Sequence, residues 1–278
     1  MYIYGYENLN RDLSILSKNK LISVKSAGKS VQQRELYYIT LGTGDYKVFI
    51  NGAHHGMEWI TSAMLIRFCK ELSDCADRFL PFCGYDTQKL LQRCTLFVLP
   101  MVNPDGVQKG IETPSLAARW QSNARGVDLN HNYNAGWQIA KEAERHAGIT
   151  EPGPTRYGGE FPESEPETKA MVGLTRREEF DIALCYHTQG EEIYYQYGTN
   201  HPRRCSTLAK AFASVSGYKL AAPPAIASHA GYKDWFIQTF QKPGFTIEAG
   251  RGTNPLPISQ LEDMYRKNKP LLALAAYY

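Results

Sequence analysis

Asn51-Gly-Ala-His-His-Gly-Met-Glu58 brings two histidines and a carboxylate close together in the chain. His55 and Glu58 are three apart, and at the start of a helix an i, i+3 pair projects from one face, where an imidazole and a carboxylate can share one metal ion. The run Tyr46-Lys-Val-Phe-Ile50 just before reads as a short buried strand, and Trp59 to Lys70 as a helix. The histidines therefore sit on a strand-to-helix turn, where an α/β sheet places its chemistry. Taken alone, His-x-x-Glu is a weak signal that more often marks a pair of satisfied polar groups.

Other candidates share the position at or just past the end of an apolar strand: Asn103 to Asp105 after Thr95–Met101, His187 after Asp181–Tyr186, and Glu248 after Pro243–Ile247. Strand ends on one sheet edge form a common crevice, so residues distant in sequence can meet there. Two imidazoles and one carboxylate make a catalytic zinc set with a position left open for water. A second carboxylate is then needed to take the water proton and pass it to a leaving amine, and Glu248 is the one left over. Asn103 and Asp105 in Asn-Pro-Asp-Gly are turn formers first; Asp105 also suits holding a ligand imidazole in its tautomer.

Gly52-Ala-His-His-Gly-Met-Glu-Trp-Ile60, Asn103-Pro-Asp-Gly106, Gly126-Val-Asp-Leu-Asn130, Ser164-Glu-Pro-Glu167, Tyr186-His187 and Phe245-Thr-Ile-Glu248 occur in the order found in the zinc carboxypeptidases of peptidase family M14 (carboxypeptidase A-like), which the chain resembles over nearly its whole length. The resemblance implies one zinc per chain on His55, Glu58 and His187, with Glu248 as general base. It also implies a three-layer α/β/α sandwich with a mixed, mainly eight-stranded sheet, filled by one catalytic domain over 1–278 with a helical lead-in over 1–30.

Two departures from the digestive enzymes bear on substrate. Their carboxylate-binding Asn-Arg pair appears as Asn130-His131, and a histidine lacks the bidentate fork of arginine. Counting back from Glu248, their mobile tyrosine aligns with Ile226 and the floor of their specificity pocket with Lys233, in Gly231-Tyr-Lys-Asp-Trp235. A lysine there favours a carboxylate-bearing side chain. The same stretches are similar to the bacterial branch that cleaves the γ-D-glutamyl–diaminopimelate bond, so the implied partner is a peptidoglycan stem peptide. Tyr232 is a candidate contact, though a tyrosine there is more often core. Arg125 or Arg119 is the candidate for polarising the scissile carbonyl, since Gln121 occupies the place where an arginine aligns. Rival readings are a carboxypeptidase for ordinary peptides, a metal amidohydrolase for small acylated amino acids, and a non-catalytic peptidoglycan-binding module.

These residues need a framework. Leu9, Leu13 and Leu16 predict an amphipathic helix over 7–18 capped by Asn8, and Ala27-Gly-Lys-Ser30 predicts a turn. Glu35–Leu41 and 46–50, joined through Gly42-Thr-Gly44, predict an antiparallel hairpin. Asn103–Gly106 predicts a turn into a long irregular stretch over 108–165 that lines the site. Ser164-Glu-Pro-Glu167 predicts a capping box with Ser164 as N-cap. Further helices are predicted at 86–93, 203–216, 231–240 and 260–277, and a strand at 193–197.

The 31 basic and 28 acidic residues, net +3, show no block of like charge, so nothing suggests nucleic acid or an anionic membrane surface. No apolar stretch is long enough for a membrane span. The N-terminus lacks the pattern of a signal peptide, so the expectation is cytoplasmic, with export or a forespore location left open. The six cysteines are expected to be free thiols. His146, His201 and His229 lie in polar surroundings and are expected on the surface.

Overall fold

Apolar side chains alternate faces along the central strands, and that alternation builds two cores. A computed structural model describes residues 2–200, 202–224 and 227–278; Ile226 and His201 lie outside the described residues. Strands β1 (Ile22–Lys29), β2 (Glu35–Gly42), β3 (Tyr46–Gly52), β4 (Cys94–Leu99), β5 (Ile182–His187), β6 (Glu192–Tyr194), β7 (Lys219–Leu220) and β8 (Gly244–Glu248) form one mixed sheet in the order β1-β2-β4-β3-β5-β8-β6-β7. Val48, Ile50, Leu96 and Leu184 join the core under α1 (Tyr6–Leu16), α2 (Ile60–Asp77), α7 (Cys205–Ser216) and α9 (Leu261–Tyr277). Phe49, Phe97, Ala183 and Cys185 face the opposite core, which α6 (Pro166–Glu178) and α8 (Tyr232–Phe240) close. The result is the three-layer sandwich that the family resemblance implies.

Central strands β3, β5 and β8 run parallel, with Gly52 beside Tyr186 and His187 beside Glu248. Their C-terminal ends therefore open on one edge, which is what assembles the site.

Several local expectations are corrected. β2 and β3 are not a hairpin, because β4 lies between them, antiparallel to β2 and parallel to β3. Both β3 and β4 are buried apolar runs that need neighbours on each side. The glycine turn only carries the chain past the start of β4, where a Cβ on Gly44 would lie 1.9 Å from the Arg93 carbonyl carbon. The true hairpin partner of β2 is β1, an edge strand whose mixed polar pattern hid it, with an irregularity between Ser26 and Lys29 where the turn was expected. The lead-in is thus a helix and a strand.

Asn103 does not close a free turn. It caps α4 (Pro104–Glu112), with Pro104 in the first turn. The stretch after it also carries α5 (Trp137–His146) and a 3-10 turn at Leu129–His131. Asn8 is not the cap of α1 but its third residue, and accepts the Gly5 N–H. Glu165, not Ser164, precedes α6, and Glu167 accepts from the Val31 N–H and the Asn123 amide instead of reaching back. Burial decides this: Glu167 is fully enclosed and must take the donors around it.

Candidate active site

The turn after β3 carries His54 and His55 into a 3-10 turn, Gly56–Glu58. It packs so closely on α4 that a Cβ on Gly56 would lie 2.5 Å from the Gly106 carbonyl. Asn103 fastens the turn, its amide donating to the carbonyls of His54, Gln121 and Ser122. Asn103 thus acts on the loop that bears the histidines.

His55, Glu58 and His187 converge. Nδ1 of His55 lies 2.9 Å from Oε1 of Glu58, and Nδ1 of His187 lies 2.9 Å from Oε2. One ligand atom from each fits within 4.8 Å of the others. Burial alone would raise the Glu58 carboxyl, but the two imidazoles hold it down to about 2. Burial pulls His55 down, yet Glu58 and Asp128 outweigh it and push that imidazole well above its ordinary value. His55 thus holds a proton where a divalent cation would replace it, and two imidazoles with a carboxylate are a zinc donor set. Asp128 Oδ1 sits 3.3 Å from the far nitrogen of His55, as metal-bound imidazoles usually require. The set fits zinc.

Asp128 replaces the expected Asp105, whose oxygens accept from Ser30, the Gln32 N–H and Arg34. Asp105 is spent on holding the end of β1. Asp128 was legible only as the aspartate of Gly126-Val-Asp-Leu-Asn130, where it also accepts the Asn130 N–H. His54 is fully buried, bonded to the Tyr133 hydroxyl at 3.1 Å; burial and the neighbouring imidazoles keep it well below its ordinary pKa, hence neutral.

Glu248 faces the same cleft as His55, Glu58 and His187. Burial and then the Glu58 charge push its carboxyl well above the usual carboxylate range. The cleft is also lined by Gln121, Asn130, His131, Arg156, Lys233 and Asp234. His131 is backed by Glu144 at 3.6 Å.

Three expected contacts lie elsewhere. Arg125 is mostly exposed, 3.7 Å from Glu165 on a separate groove. Arg119 is exposed and, among the described residues, reaches the Ser115 carbonyl. The cleft arginine is Arg156, missed because it stands in a Pro/Gly-rich loop without periodic pattern. Tyr232 is core: it is fully buried, bonds Thr175 at 2.7 Å and packs on Phe49 and Tyr133. His229 is not simply a surface group, since its Nδ1 meets the Tyr197 hydroxyl at 3.0 Å.

The profile of the family described as zinc carboxypeptidase matches residues 13–270. The chain is 34% identical to the gamma-D-glutamyl-L-diamino acid endopeptidase 1 of Lysinibacillus sphaericus, over 95% of this chain and 70% of that protein. Among solved structures, bovine thrombin-activatable fibrinolysis inhibitor superposes with a TM-score of 0.79 at 18% identity, covering 99% of this chain and 96% of that one. The murein-tripeptide amidase MpaA of Escherichia coli O157 gives 0.56 at 23% identity, covering 90% and 91%. These two likenesses concern the fold.

Proposed function

The chain belongs to the zinc carboxypeptidase family and is a zinc metallopeptidase, and from that premise we propose that it hydrolyses the γ-D-glutamyl–diamino acid amide of peptidoglycan stem peptides, with meso-diaminopimelate or another L-diamino acid as the leaving residue. The observation that carries this reading is the likeness, over nearly the full chain, to an endopeptidase of that specificity. The mixed charges of the cleft wall, from Arg156 and Lys233 to Asp234, agree with it.

His55, Glu58 and His187 would hold the zinc, and Asp128 would fix the His55 tautomer so that Nδ1 faces the metal. When bound, zinc supplies Lewis acidity that lowers the pKa of water from 15.7 to about 7. Glu248 takes the proton of the attacking water and delivers it to the leaving amine; a carboxyl whose proton affinity is raised by burial suits both transfers. Arg156 and the Gln121 amide line the cleft and are assigned to the carbonyl oxygen as it gains negative charge. Thr155 donates to Oε1 of Gln121, leaving the NH2 as the end that can donate. Asn130 and His131 are assigned to the carboxylate of the leaving residue.

Turnover of L-Ala-γ-D-Glu-meso-diaminopimelate against a hippuryl-amino acid tests the reading. The first should be cleaved faster; the reverse order would establish an ordinary carboxypeptidase.

A further inference from the structure

Asp234 is a buried carboxylate whose Oδ1 meets the ammonium of its neighbour Lys233. It is 4% exposed, on the first turn of α8, and lines the catalytic cleft. That ion pair is the contact this carboxylate makes among the described residues. Lys233, itself 4% exposed, also donates to the Gln196 carbonyl at 2.7 Å. Oδ2 lies beside Gly231, where a Cβ would come within 3.4 Å of it and within 3.2 Å of Asn130 Oδ1. Glycine keeps this wall open.

Buried carboxylates ordinarily collect several donors, and one that faces a cleft with a single ammonium beside it keeps an oxygen for a donor brought by a ligand. The pair Lys233–Asp234 is neutral in sum. A lone ammonium would leave the lysine charge in excess in the wall, and a lone carboxylate would leave the aspartate charge in excess. A group bearing both charges on one carbon gives each member an opposite charge and buries no surplus.

We propose that Lys233 and Asp234 together read a distal α-amino acid head: Asp234 receives its ammonium and Lys233 its carboxylate. Resting on the γ-D-glutamyl peptidase reading, this assigns the leaving residue as a diamino diacid, in preference to a diamino monoacid such as lysine. Lys233 alone, read from sequence, selects only for a carboxylate; Asp234 adds the second half.

Zinc-loaded full chain is tested on L-Ala-γ-D-Glu-X with X as meso-diaminopimelate, L-lysine or L-2-aminopimelate, which keeps the distal carboxylate and lacks the ammonium. The wild type should favour diaminopimelate over each of the others by about 100-fold in kcat/KM. Asp234→Asn should reduce the diaminopimelate-to-aminopimelate ratio to within about threefold, and Lys233→Gln the diaminopimelate-to-lysine ratio likewise. Each ratio is internal to one protein, so partial misfolding, which lowers both rates, does not imitate the result. An unchanged ratio in Asp234→Asn overturns the assignment. Calorimetric binding of free meso-diaminopimelate separates the two readings. Wild-type binding that Asp234→Asn weakens about tenfold or more, without cleavage of any of the three peptides, sinks the peptidase reading and keeps the pocket. Equal binding by both proteins, or none by the wild type, sinks the pocket.

Discussion

Asp128 backs His55: its Oδ1 lies 3.3 Å from Nε2 while Nδ1 of the same ring faces Glu58. The imidazole is thus held from both ends, with Nδ1 fixed toward Glu58. Asp128→Asn should weaken zinc affinity by about 10–100-fold. Competition with a chromophoric chelator measures this, and an unaltered affinity would remove Asp128 from the metal centre.

Glu248 stands directly opposite His187 across β5 and β8 but is not among the converging ligand atoms. Glu248→Gln should therefore keep its zinc and lose about 10²–10⁴ in kcat. Loss of zinc together with activity would make Glu248 a ligand, and retained turnover would end its role as base.

Arg156 lines the cleft whereas Arg125 pairs with Glu165 outside it. Arg156→Ala should cost about 10²–10³ in kcat. Arg125→Ala, an exposed change, should stay within about threefold of wild type. The opposite ranking in steady-state assays would restore the arginine expected from sequence.

Burial pushes the Glu167 carboxyl up to about 7 from an ordinary 4.5, against the donors Val31 and Asn123, which lower it. Between those values the folded protein holds a proton that the unfolded chain has released, so stability falls as pH rises from about 4.5 to 7 and the loss is complete above. The full effect is roughly 3 kcal/mol. Urea midpoints of wild type and Glu167→Gln between pH 5 and 8 should diverge, with the variant gaining relative stability toward pH 8. Parallel curves would show that Glu167 does not titrate in this range.

The four groups proposed for chemistry were legible because each ends an apolar run, and β3, β5 and β8 do end on one edge. What sequence could not show depends on neighbours from elsewhere in the chain. Asp105 and Asp128 are both aspartates beside turn residues, and only the fold decides that one meets Arg34 and the other His55. The β2–β3 hairpin failed because strand order is set by burial of β4, not by loop length. Lys233 was placed by counting, but its partner Asp234 became visible only as a buried carboxylate on the cleft wall.

The central claim is that His55, Glu58 and His187 grip one catalytic zinc. Titrating zinc into chelator-stripped protein, while following cleavage of L-Ala-γ-D-Glu-meso-diaminopimelate, tests it most directly. Activity should return linearly and saturate at one zinc per chain for the wild type, with no comparable recovery in His187→Ala. Full activity in the stripped protein, or a His187→Ala curve that overlays the wild type, would contradict it.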